Sequence, residues 1–88
     1  MRISEEKIKK IKESILAFLY EENPKAYFTA EIARETIRDE EFTKRLLYEL
    51  EKANFVVKIT KNPKGVNYSR RERWRLSSQA YTAYSSLH

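Results

Sequence analysis

Residues 28–59 read FTAEIARETIRDEEFTKRLLYELEKANFVVKI, and a change of period inside that stretch decides the fold. As far as residue 53, apolar side chains recur every three or four positions. Ile32 and Ala33 share a face, and further on Thr43, Leu46, Leu47, Leu50 and Ala53 fall on one side of a helical wheel. The opposite side of that second segment holds Glu41, Lys44, Arg45, Tyr48 and Lys52. Thr29 is placed to cap a short helix over about 30–36. Asp39 caps a longer one over about 40–53, with Glu40 and Glu41 in its first turn, where carboxylates suit the helix dipole. Asn54 stands where a left-handed C-cap is wanted. After it the period falls to two: Phe55, Val57 and Ile59 alternate with Val56, Lys58 and Thr60, and Phe55 is placed on the inward face.

Upstream, Ser4 is a fitting N-cap for a helix over about 5–22, with Glu5 and Glu6 in its first turn. Ile8, Ile11, Ile15, Phe18 and Leu19 form its apolar stripe, and Asn23-Pro24 stops it. The lysines between Lys7 and Lys12 read as its solvated face. Tyr27-Phe28 is a short apolar pair. Downstream, residues 61–67 (KNPKGVN) are turn formers, so that 55–76 reads as a β-hairpin. Trp74 and Leu76 share one face of its returning strand and Arg71, Arg73 and Arg75 the other. A last helix over about 78–87 carries Ala80, Tyr81, Tyr84 and Leu87 at helical spacing. That helix can pack on the first one or supply a dimer contact.

Charge is distributed as unevenly as period. Residues 1–54 carry 11 Lys/Arg against 12 Asp/Glu, while residues 55–88 carry seven against the single Glu72. The whole surplus of +5 therefore sits on the hairpin, where aligned cations create a field that a phosphate backbone answers by counterion release. With 88 residues the chain is expected to form a single domain, residues 1–88. It has no cysteine, its one histidine is the terminal His88, and it has one glycine. Thiolate zinc sites, histidine-based triads and glycine-rich phosphate loops are excluded, so no enzyme activity, cofactor or metal is expected. No apolar run reaches the ~20 residues of a membrane span, and a cytoplasmic location is expected. The Lys/Glu/Arg-rich, Gln-poor composition is thermophile-like.

The order helix, short strand, helix, turn, helix, basic hairpin resembles the winged helix-turn-helix DNA-binding family, in its prokaryotic and archaeal type of transcriptional regulator. The residues that carry the resemblance are the Thr29 helix start, Leu50-Glu51-Lys52-Ala53 with Asn54 and Phe55-Val56, and the Trp74-Arg75-Leu76-Ser77-Ser78 exit from the hairpin. Two departures are visible: Asn54 stands in place of the usual glycine, and Glu40-Glu41 present carboxylates where relatives turn neutral or basic groups to DNA. The resemblance implies an α+β fold with a three-helix core, a two-stranded wing and a short C-terminal helix. It also implies sequence-specific or semi-specific binding of double-stranded DNA, as a homodimer. Lys44, Arg45, Tyr48 and Lys52 lie on the helix that would read the major groove. Lys61, Lys64, Arg70, Arg71 and Arg73 form the wing, and Thr29 would offer a phosphate its hydroxyl and backbone N–H. Protein docking within a transcription, replication or ribosomal assembly, and binding of structured RNA, are the alternatives.

Overall fold

The computed structural model describes residues 4–59 and 72–87. Its elements are α1 (Glu5–Glu22), β1 (Tyr27–Phe28), α2 (Thr29–Thr36), α3 (Glu40–Lys52), β2 (Val56–Ile59), β3 (Arg73–Leu76) and α4 (Ser78–Leu87). The helix starts follow from their caps. The Ser4 hydroxyl accepts from Lys7 N at 3.2 Å, Asp39 Oδ2 accepts from Phe42 N at 3.0 Å, and Ser77 Oγ accepts from Ala80 N at 3.0 Å. At the start of α2 the Glu31 carboxylate accepts from Phe28 N at 2.8 Å. Phe28 is the flanking residue, and Thr29 is the first helical residue rather than the expected cap.

Two non-glycine residues take left-handed backbone, Asn54 with φ 67° and Ile37 with φ 54°. Asn tolerates that region well, and Asn54 ends α3 as its position predicts. Ile37 forms the sharp turn between α2 and α3, and it is a β-branched side chain in a conformation that costs L-residues roughly 1–2 kcal/mol. That side chain is 81% exposed, so burial does not repay the strain.

The three strands form an antiparallel sheet in the order β1-β3-β2, with β3 in the middle. Tyr27 faces Trp74 across one seam, and Val56 faces Leu76 and Lys58 faces Trp74 across the other. Ile11, Ile15, Leu16 and Leu19 of α1, Ile32 of α2, and Leu46, Leu47 and Leu50 of α3 enclose one core with Val56, Trp74, Leu76 and Ala80. Trp74 lies at its centre with no exposure, and its indole Nε1 donates to Thr29 Oγ1 at 2.9 Å.

The register corrects one expectation. Val56 is buried and Phe55 is 42% exposed, so β2 runs in the opposite phase to the one read from alternation. Residues facing each other across an antiparallel pair share a sheet face, which puts Val56 and Lys58 with Leu76 and Trp74. Val57 and Ile59 go with Arg75 and Arg73 on the outer face. Ala53, placed in the inward stripe of α3, is exposed at that helix's end. The last helix packs on α1: the Tyr20 ring lies 5.2 Å from Tyr81 and 5.3 Å from Tyr84, centroid to centroid.

Candidate nucleic-acid interface

The outer face of α3 is fixed by its inner one. Because Thr43, Leu46, Leu47 and Leu50 are buried, helical geometry turns Lys44, Arg45 and Lys52 outward, and all three are exposed. The Arg45 guanidinium lies 5.2 Å from the centre of the Phe42 ring, one turn away, which steadies a long side chain without neutralising it. Glu40 and Glu41 are exposed in the first turn and stabilise the positive end of the helix; they also make that end unwelcoming to a phosphate.

Tyr48 departs from the expectation of an exposed reader. It does project away from the leucine stripe, but β3 covers that side of the helix and the residue is half-buried. Its ring meets Trp74 edge-on, at 5.3 Å and 87°. The Lys58 ammonium sits 4.8 Å from its ring centre. Its hydroxyl donates to Glu72, 2.6 Å from Oε1 and 2.7 Å from Oε2. The Glu72 carboxylate holds the phenol proton in place, and together with burial it pushes the Tyr48 hydroxyl up to about 12.

Thr29 is 8% exposed, with its hydroxyl oxygen turned inward to the Trp74 indole. The expected side-chain contact with a phosphate therefore meets a buried group. Arg73 is half-buried on the outer face of β3, its guanidinium 5.8 Å from the Phe28 ring centre. Arg75, next but one along the same face, donates from Nη1 to the Leu76 carbonyl at 3.2 Å. Lys61, Lys64, Arg70 and Arg71 lie outside the described residues. The structure thus gathers Lys44, Arg45 and Lys52 on one helix face and Arg73 on the sheet beside it. Sequence reasoning passed over Lys58 and Glu72 as partners of Tyr48. The signal for Lys58 was its parity with Val56; a contact across 24 residues of sequence, Tyr48 to Glu72, leaves none.

Among the described residues no helix is long and apolar enough to cross a membrane, and no group of three or more His, Cys, Asp or Glu is placed to hold a metal ion.

Comparison with solved structures identifies the class of fold. MepR, a transcription regulator of the Staphylococcus aureus multidrug efflux pump MepA, matches in its complex with DNA with a TM-score of 0.72 and 18% identity, over 93% of this chain and 67% of that one. Lactococcus lactis ZitR matches with a TM-score of 0.70 and 18% identity, over 93% of this chain and 57% of that one. A protein from ralstonia eutropha jmp134 assigned to DNA binding matches with a TM-score of 0.69 and 16% identity, over 89% of this chain and 94% of that one. No family model matches the sequence, and no curated protein resembles it significantly. The chain has an α+β winged-helix fold, in which α2 and α3 are the helix-turn-helix and β2 and β3 the wing strands. It spans little more than half of the MepR chains it matches in other structures, 54% and 55%.

Proposed function

We propose that this winged helix binds double-stranded DNA as part of a transcriptional regulator, with α3 in the major groove and the basic wing on the phosphate backbone. The observation that carries the reading is the outward set of Lys44, Arg45 and Lys52 on α3. That helix lies against the hairpin on which the sequence concentrates its surplus charge. Arginine to a guanine edge is the commonest specific contact a helix makes in a major groove, and Arg45 is the arginine that α3 presents. Cations on the wing would follow the backbone, where they position the protein without reading sequence. The MepR structure with bound DNA lends support as a relative in fold. The reading is of a binding protein rather than a catalyst, inside the cell, where its target is. It assembles as a homodimer, for which α4 offers Leu87, 79% exposed.

A duplex titration at two salt concentrations tests it. Affinity should fall steeply with salt, with a log–log slope of roughly −3 to −6 per protomer, because each phosphate-paired cation contributes close to one unit. Arg45→Ala should cost ~1–3 kcal/mol of discrimination between a selected site and scrambled DNA, whereas Arg71→Ala and Lys64→Ala should weaken both about equally. Binding that is absent at low salt, or indifferent to salt, would reject DNA in favour of protein docking.

A further inference from the structure

The only acid of residues 55–88 is Glu72, and arginines stand on both sides of it in the sequence. Both of its carboxylate oxygens accept from an uncharged donor on another element, the Tyr48 hydroxyl. A hydrogen bond to a charged acceptor is among the stronger kinds, and one short to both oxygens fixes direction as well as distance.

The bond joins the middle of α3 to the foot of β3, and a second tie lies beside it. Trp74, two residues along the same face of the strand, carries the Tyr48 ring on its own and gives its indole N–H to Thr29, the first residue of α2. Both helices of the helix-turn-helix are thereby fastened to β3 and the residue before it, α2 at Trp74 and α3 at Trp74 and Glu72. Lys58 of β2 adds a contact with the same ring, its ammonium 4.8 Å from the ring centre.

We propose that Tyr48 is a positioning residue, whose hydrogen bond to Glu72 sets β3 and its outer-face arginines at a fixed height against the reading face of α3. This rests on the DNA-binding reading above and replaces the role of base reader for Tyr48. The distance between a major-groove helix and a backbone-following strand must match the distance between groove and phosphates, and a helix and a sheet held only by apolar packing can slide. The hydroxyl removes that freedom. The phenol keeps its proton well beyond neutral pH, so that Tyr48 remains the donor.

Tyr48→Phe tests this with little disturbance, since the ring keeps its edge contact with Trp74 and the charge of the protein is unchanged. Amide hydrogen exchange of Arg73–Leu76 in the intact chain should speed up about tenfold or more, as a hydrogen bond to a charged group implies. Affinity for duplex DNA should fall about fivefold, within the range of coupled side-chain pairs, and by the same factor on a selected and on a scrambled site. Glu72→Leu alone should speed the same amides, and Tyr48→Phe added to it should change neither exchange nor affinity. Unchanged exchange in Tyr48→Phe overturns the proposal. So does a loss of affinity that recurs in full in the Glu72→Leu background, because the hydroxyl would then touch the duplex itself. A wild-type chain that binds no duplex refutes the DNA reading instead, and the exchange result still upholds or overturns the tie between α3 and β3.

Discussion

Replacing Trp74 with alanine, and separately with phenylalanine, puts the centre of the fold to a quantitative test. The side chain is fully buried between α1, α2, α3 and the sheet, so alanine removes the largest buried side chain and leaves a cavity that rigid neighbours cannot close. Large aromatic deletions of this kind cost ~3–5 kcal/mol. For 88 residues the total stability expected at 0.05–0.15 kcal/mol per residue is ~4–13 kcal/mol, so the loss is a large fraction of the whole. Phenylalanine keeps most of the volume but removes the indole N–H, and with it the bond to Thr29 Oγ1. The converse change, Thr29→Val, leaves that N–H buried without its partner and should cost ~1–3 kcal/mol. In the Trp74→Phe background the same valine has nothing to orphan and should cost well under that. Urea unfolding followed by far-ultraviolet circular dichroism reads all four variants beside the wild type, because the fluorescence of the only tryptophan is lost in three of them. Equal cost of Thr29→Val in both backgrounds refutes the hydrogen bond, and a Trp74→Ala loss below about 1 kcal/mol refutes the core.

Three further outcomes are expected. Asp39→Ala should lower stability by ~0.5–2 kcal/mol in the same unfolding assay, since the carboxylate caps α3 through Phe42 N. Ile37→Gly should raise it by about 0.5–1 kcal/mol, because relief of left-handed strain at an exposed side chain exceeds the entropy that glycine adds to the unfolded chain. In an ultraviolet titration Tyr48 should ionise near 12, above the ordinary 10, and Tyr48→Phe should remove that late step. A folded-state value above the unfolded one means that the contribution of this group to stability is complete below pH 10 and fades as pH rises from 10 to 12, so unfolding followed across that window should show the loss.

The helices were legible because their ends carry chemistry. Ser4, Asp39 and Asn54 announce a start, a start and a stop in residue types that backbone geometry demands, and the leucine stripe of α3 has a single possible inner side. The phase of β2 was not legible, because Phe55, Val56, Val57 and Ile59 supply apolar side chains at both parities. Only the register against Leu76 and Trp74 selects between them, and register belongs to the tertiary structure. Tyr48 shows the same limit from the other direction. A helical wheel places it correctly away from the leucines, yet away from one core layer is not the same as into solvent when a strand lies on that side. At a helix start the Thr29 hydroxyl looks free from sequence alone; the tryptophan that occupies it lies 45 residues further on. The wing positions Lys61, Lys64, Arg70 and Arg71 lie outside the described residues.

Because β3 is paired on both sides, the open backbone edges of this small sheet, among the described residues, belong to β1 and β2. An open edge is a row of N–H and C=O groups that another chain can extend, and it is where small sheet proteins begin to aggregate. At two residues β1 is too short to offer such a row. The four residues of β2, Val56-Val57-Lys58-Ile59, would be an adhesive run but for one side chain. Lys58 breaks its apolar continuity with a charge, and the sequence just beyond adds Lys61, Pro63 and Lys64. Charge and proline are what proteins use to keep such edges from sticking. The lysine that lies against the Tyr48 ring therefore also interrupts the apolar run of the edge strand with a charge.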